Sequence, residues 1–305
     1  MKKYFIVTIL ISIFSCQQNT QKEKNKVETV TYEQVITDDY ELEKPNVTPP
    51  KAVLVLFGGY PEKAKDIKRE FKILEKARQK QIAVLYSNYS QKLWFEENEL
   101  QELSNQMQEI FIKNELPTNN VYLGGFSSGG DVALLLGNYL TENKKLTPKR
   151  IFIVDSPIDL AELYFSSEKN IKRNFSETSV QESNWIISTL GERFGNPNED
   201  LSNYEKHSVF TLKTKNINNI ENLKSTKIRM YTEPDTVWWK ENRMADYDQT
   251  NAYLIKNLSK ELKNSGFSDV EYIPTQNKGY RANGDRHPHS WSIVDKDDLI
   301  NWILK

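Results

Sequence analysis

Gly125-Phe126-Ser127-Ser128-Gly129 lies between a short apolar segment, residues 120–123, and a helix-forming run, residues 131–140. A serine held between glycines at this spacing, in strand-turn-helix context, is the arrangement called a nucleophile elbow. The sharp turn raises the serine oxygen above the strand, and the glycines remove side chains that would block the turn and the adjoining helix. The chemistry on offer is attack by the Ser127 hydroxyl on an electrophile such as a carbonyl carbon. A turn that merely caps a helix uses the same residue types, but the apolar strand before the motif and the apolar helix after it favour the elbow.

A serine hydroxyl is a weak nucleophile at neutral pH and needs a base whose pKa is close to the working pH, which points to histidine. The chain has three histidines: His207, and the pair His287 and His289 in Arg286-His-Pro-His-Ser-Trp-Ser292. Pro288 turns the two neighbouring imidazoles to different environments. The base in turn needs a carboxylate that fixes its tautomer and stabilises imidazolium. Asp235 and Glu233 follow one apolar run, and Asp155, in Ile-Val-Asp-Ser-Pro157, follows another, so all three compete. Asp-Ser-Pro is equally a capping sequence. Phe57-Gly58-Gly59-Tyr60-Pro61 lets backbone approach a ligand closely, as an anion-binding amide must, although a tight strand-to-helix turn uses the same glycines. The close spacing of Asp285, His287 and His289 offers a metal-cluster reading, against which Pro288 strains the geometry.

The elements that must position these groups are legible as periodicity. Residues 51–57, 82–86, 121–123, 151–154 and 228–231 are near-continuous apolar runs, the pattern of strands buried on both faces and hence of a parallel sheet. Between them, Ile67, Phe71 and Leu74, then Leu100, Leu103, Met107 and Ile110, recur at helical steps. Residues 251–263 repeat the pattern, with Gly266 as a stop. Strands alternating with helices predict right-handed crossovers in one doubly wound α/β sheet. Residues 27–40 alternate Val, Thr and Tyr and predict an antiparallel hairpin at its edge. Residues 157–225 break the rhythm: nearly seventy residues rich in Asn, Ser, Glu and aromatics separate two core strands. They read as a mainly helical cap over the carboxyl edge of the sheet, with helix at 160–164 and 185–194. Trp94, Trp185, Trp238, Trp239 and Trp291 fall in this cap or in loops after strands, and Trp238-Trp239 is the best candidate for a pocket wall.

Lys2-Lys3, the apolar run 4–14 and Ser15-Cys16 have the form of a secretory signal, too short to span a bilayer. Ile13-Phe14-Ser15-Cys16 resembles the lipobox of bacterial lipoproteins, which implies lipidation of Cys16 and a membrane anchor on the cell envelope. Cys16 is the one cysteine of the chain, so an intramolecular disulfide is excluded. Residues 16–26 are polar and charged, as in a disordered tether, leaving 27–305 as one domain. The net charge of −1, from 41 basic and 42 acidic residues scattered among one another, excludes a nucleic-acid surface.

From about Lys51 to the C-terminus, the inserted segment apart, the chain resembles the α/β-hydrolase family, in order as well as in the serine motif. The resemblance implies an α/β-hydrolase fold and a triad of Ser127, Asp235 and His289. It implies an oxyanion hole from the Ser128 backbone N–H together with that of Gly59 or Tyr60, in a loop where Phe57 departs from the family's usual histidine. It also implies a serine hydrolase, without metal or cofactor, that cleaves a carboxylic ester of a small molecule, glycan or peptide through an acyl-enzyme. A peptidase of the same fold, or an inactive binding lipoprotein, is the alternative.

Overall fold

The computed structural model describes residues 30–47, 49–89, 93–96, 98–144 and 146–305. The expected signal segment, tether and Cys16 lie outside them. Unbroken runs of Val, Leu and Ile are satisfied only where both faces of a strand are covered, and the sheet follows from that requirement. Its strands are β1 (Tyr32–Ile36), β2 (Tyr40–Pro45), β3 (Ala52–Phe57), β4 (Ile82–Ser87), β5 (Val121–Phe126), β6 (Arg150–Val154), β7 (Lys227–Thr232) and β8 (Val270–Pro274). They lie side by side in the order β1-β2-β4-β3-β5-β6-β7-β8. All pairings from β4 to β8 are parallel, whereas β1 with β2 and β2 with β4 are antiparallel. Every residue of β3, β4, β5 and β6 is buried.

The helices cover both faces. In chain order they are α1 (Ala64–Phe71), α2 (Leu74–Gln79), α3 (Glu99–Lys113), α4 (Ser128–Glu142), α5 (Leu160–Arg173), α6 (Glu177–Phe194), α7 (Ser202–His207), α8 (Thr236–Arg243), α9 (Asn251–Asn264) and α10 (Lys296–Leu304). Leu103 and Met107 of α3, Leu134 and Leu136 of α4 and Leu258 of α9 join Val53, Val55 and Leu123 in one core. Ile67 and Phe71 of α1, Ala77 of α2 and Trp302 of α10 join Leu54, Leu56 and Phe152 in the other. Each of the Val, Leu, Ile, Phe and Met side chains among them contributes about 1.5–3 kcal/mol on full burial.

The edge hairpin differs from the expected one. Its second strand begins at Tyr40, where the expected hairpin ended, and reads Tyr-Glu-Leu-Glu-Lys-Pro. Charge disguised it as loop: Glu43 is buried, and it is neutralised by Lys68 and Arg78 while Glu41 pairs with Lys68. Between β6 and β7 lie α5, α6 and α7, with an apolar cluster of their own that includes Tyr164, Leu190, Phe194 and Tyr204. Asp159 caps α5 by accepting from Ala161 N and Glu162 N, and Ser176 caps α6 through Ser179 N. No helix among the described residues is long and apolar enough to cross a membrane.

Candidate active site

β5 delivers Phe126 to the carboxyl edge of the sheet, and the chain turns at Ser127 into α4. Ser127 has φ 52° and ψ −133°, a conformation costly for a residue with a Cβ and held here by its surroundings. Its N–H donates to Val154 O at 2.9 Å, and Gly130 N–H donates to Ser127 O at 2.9 Å. The motif glycines are obligatory: a Cβ on Gly125 would stand 1.9 Å from Gly129 O, and one on Gly129 would stand 2.3 Å from Phe57 O. Ser128 is the first residue of α4, so its N–H has no partner inside the helix.

His289 stands on the long loop between β8 and α10. Its Nδ1–H donates to Asp155 Oδ2 at 2.7 Å. Asp155 is the first residue beyond β6, the strand next to β5, and adopts φ 48°. It is buried and held by its own backbone: its N–H donates to Tyr231 O at 2.9 Å, and its carbonyl accepts from Asn251 Nδ2 at 2.8 Å. The imidazole packs against the elbow, with its centroid 4.4 Å from that of Phe126. Among the described residues no hydrogen bond joins Ser127 to His289.

Asp235, expected to hold the imidazole, is engaged elsewhere. Its Oδ1 caps α8 by accepting Trp238 N–H at 3.0 Å, and its Oδ2 accepts Arg286 Nη2–H at 2.6 Å. Glu233 is also turned away. Its carboxylate, 2% exposed, accepts from Thr275 Oγ1, Lys278 N, Gly279 N and Arg286 Nη2. Both acids at the end of β7 thus fix the loop that carries His289, and the carboxylate that meets the imidazole is the one after β6. His287 accepts from His289 N–H through Nδ1 at 3.2 Å and packs on Trp238, ring centroids 4.5 Å apart. Burial, helped by Arg281, His289 and Arg243 nearby, pushes its pKa down to about 3, so it is neutral. Asp285 accepts from Asn283 Nδ2, so Asp285, His287 and His289 turn to separate partners rather than to a shared ion. His207 lies apart, with Nδ1 at 3.0 Å from Phe95 O.

The glycine loop after β3 meets the elbow directly. A Cβ on Gly59 would stand 2.7 Å from Ser127 Cβ. Of its two candidate amides, that of Gly59 is taken by Glu62 Oε2 at 3.1 Å, whereas that of Tyr60 faces the elbow and donates to Ser128 Oγ at 3.0 Å. Tyr60 lies stacked on Trp185 of α6, centroids 5.3 Å apart and planes 15° from parallel. The two rings stay 50% and 43% exposed. Trp94 packs on Phe194 and Trp291 is buried in the core.

No family model matches the chain, and neither does any curated protein sequence. Solved structures do. An esterase/lipase from an uncultured bacterium is 12% identical, with 91% of this chain and 86% of that one covered, at a TM-score of 0.53. The esterase EstE5, solved after soaking with p-nitrophenyl butyrate, is 11% identical, with 90% and 85% covered, at a TM-score of 0.55. The chain has the α/β-hydrolase fold. Ser127, Asp155 and His289 follow one another in that order along the chain. Glu62 and Arg286 carried no signal of their own in the sequence, because each acts through loop geometry. The Asp-Ser-Pro after an apolar run was the one legible sign of Asp155.

Proposed function

We propose that the chain is a serine hydrolase that cleaves carboxylic esters through an acyl-enzyme on Ser127. The observation that carries this reading is the Asp155–His289 hydrogen bond of 2.7 Å beside a strained serine elbow. Asp155 holds the imidazole with Nδ1 protonated, which leaves the Nε2 lone pair as the base. Ser127 Oγ attacks the carbonyl carbon as its proton passes to Nε2. The contact between the two side chains tightens when substrate binds. The negative charge that forms on the carbonyl oxygen is received by the N–H of Ser128 and by that of Tyr60, which exchanges its hydrogen bond to Ser128 Oγ for one to the oxyanion, each donor of this kind contributing about 3–4 kcal/mol. Collapse breaks the ester C–O bond, and the imidazolium gives its proton to the departing alcohol. Water, deprotonated by His289, then attacks the acyl carbon and releases the acid with Ser127 restored.

Esters rather than amides are favoured by the fold's solved neighbours, which include an esterase/lipase and an esterase soaked with a p-nitrophenyl ester. A panel of p-nitrophenyl esters of increasing acyl length, run beside peptide p-nitroanilides, tests this. The expected result is ester turnover that falls by on the order of 10⁶-fold in Ser127→Ala. Ester turnover that survives in Ser127→Ala would overturn the reading, and turnover of anilides alone would make the enzyme a peptidase.

We also propose that Cys16 is lipidated and anchors the enzyme to the cell envelope, on the strength of Lys2-Lys3, the apolar run after them and Ser15-Cys16. Palmitate labelling of the wild type, lost in Cys16→Ala, is the expected outcome.

A further inference from the structure

Glu62 has no part in the chemistry above, yet its carboxylate joins the two loops on which that chemistry depends. Its backbone N–H donates to Gly59 O, and Gly59 N–H donates back to Glu62 Oε2 at 3.1 Å, so residues 59–62 close on themselves. The same Oε2 accepts the indole N–H of Trp291 at 3.1 Å. Trp291 follows His289 by two residues, and its ring is wedged between Phe71, at 4.5 Å, and Phe126, at 5.3 Å. One oxygen therefore ties the loop that carries Tyr60 to the loop that carries the base. There is no slack in the turn: a Cβ on Gly58 would stand 2.7 Å from Glu62 Cβ.

We propose that Glu62 is a positioning residue of the hydrolytic site, which locks the Tyr60 amide and the His289 imidazole into one relation and adds its charge to that of Asp155 on the imidazolium. The inference rests on the hydrolase reading. The groups that face Glu62 are Glu70 of α1, His289, and the N–H donors of Gly59 and Trp291. Burial, the largest influence, and the like charge of Glu70 raise its pKa, and the two donors and His289 oppose them. His289 is faced by Asp155, Glu62 and the neutral His287. A carboxylate at this place favours the imidazolium that forms during turnover, so removing its charge weakens the base.

Glu62→Gln keeps an oxygen that accepts both N–H groups and loses only the charge, whereas Glu62→Ala loses both. The expected result is a kcat about 10²-fold lower in Glu62→Ala, comparable to losing one oxyanion donor, with little change in KM. In Glu62→Gln most of kcat returns, and the acidic limb of kcat/KM moves down by at least about 0.5 pH unit. The Trp291 indole N–H resonance, assigned with Trp291→Phe and followed in the Ser127→Ala background, should titrate with Glu62 and stop doing so in Glu62→Gln. Phosphonylation of wild-type Ser127 reports on the hydrolase reading separately, and its absence would remove that reading alone. With phosphonylation intact, a Glu62→Ala enzyme at the wild-type rate overturns the positioning role. So does a Glu62→Gln enzyme with an unmoved limb, which also decides the matter if the alanine variant does not fold.

Discussion

Asp155 and His289 are 134 residues apart in the chain, and their side chains meet at 2.7 Å. The contact is built by two independent anchors. The positive φ of Asp155 lets it leave β6 toward the elbow while Tyr231 and Asn251 hold its backbone. The His289 loop is brought down by Glu233 and Arg286.

Asp155→Asn therefore lowers kcat by on the order of 10⁴-fold, because the amide no longer selects the reactive tautomer. Asp235→Asn keeps the α8 cap and weakens one partly exposed ion pair, so its kcat stays within about tenfold of the wild type. Steady-state kinetics on both variants gives the comparison, and the reverse ranking would return the role to Asp235.

Glu233→Ala strips the acceptor from Thr275 Oγ1, Lys278 N, Gly279 N and Arg286 at once. Breaking a buried pair of this kind costs about 3–5 kcal/mol. A denaturant titration should give a lower midpoint with an unchanged slope. A midpoint equal to that of the wild type would mean that the loop is held by other contacts.

Which carboxylate meets His289 was the part of the site least legible from sequence. Three carboxylates stand just past strands, and which of them reaches His289 depends on where the loop between β8 and α10 descends. That descent is set by Glu233 and Arg286, 53 residues apart, through contacts that leave no local pattern. The serine was legible because its constraint is local: Gly125 and Gly129 must be glycine for the turn to close. The inner strands were legible because burial on both faces forces unbroken apolar runs. β1 was legible as one arm of an antiparallel edge hairpin, whereas β2 and β8 were not. β2 buries charge through Lys68 and Arg78, and β8 is only half covered.

His287 gives the protein an acid-sensitive element. Its folded pKa, about 3, lies below that of a free histidine, near 6.5. The unfolded chain therefore binds the proton first, and stability falls as pH drops from about 6.5 toward 3. Replacing it in His287→Gln should flatten the pH dependence of the unfolding free energy across that window. An unchanged slope would assign the acid sensitivity to other groups.

Trp185→Ala removes the ring that stacks on Tyr60. A stacked pair contributes about 0.5–1.5 kcal/mol, so kcat/KM for esters should fall by roughly two- to tenfold while the thermal midpoint moves little, since both rings are largely exposed. A wild-type kcat/KM in the variant would show that the stack has no bearing on turnover.

Treatment with diethyl p-nitrophenyl phosphate, followed by intact-mass and peptide mass spectrometry, tests most directly whether Ser127 is a nucleophile activated by His289 and Asp155. The expected result is one diethylphosphoryl group per chain, located on Ser127, absent in Ser127→Ala and acquired far more slowly in His289→Ala and Asp155→Asn. A chain that stays unmodified, or carries the group on another residue, would contradict it.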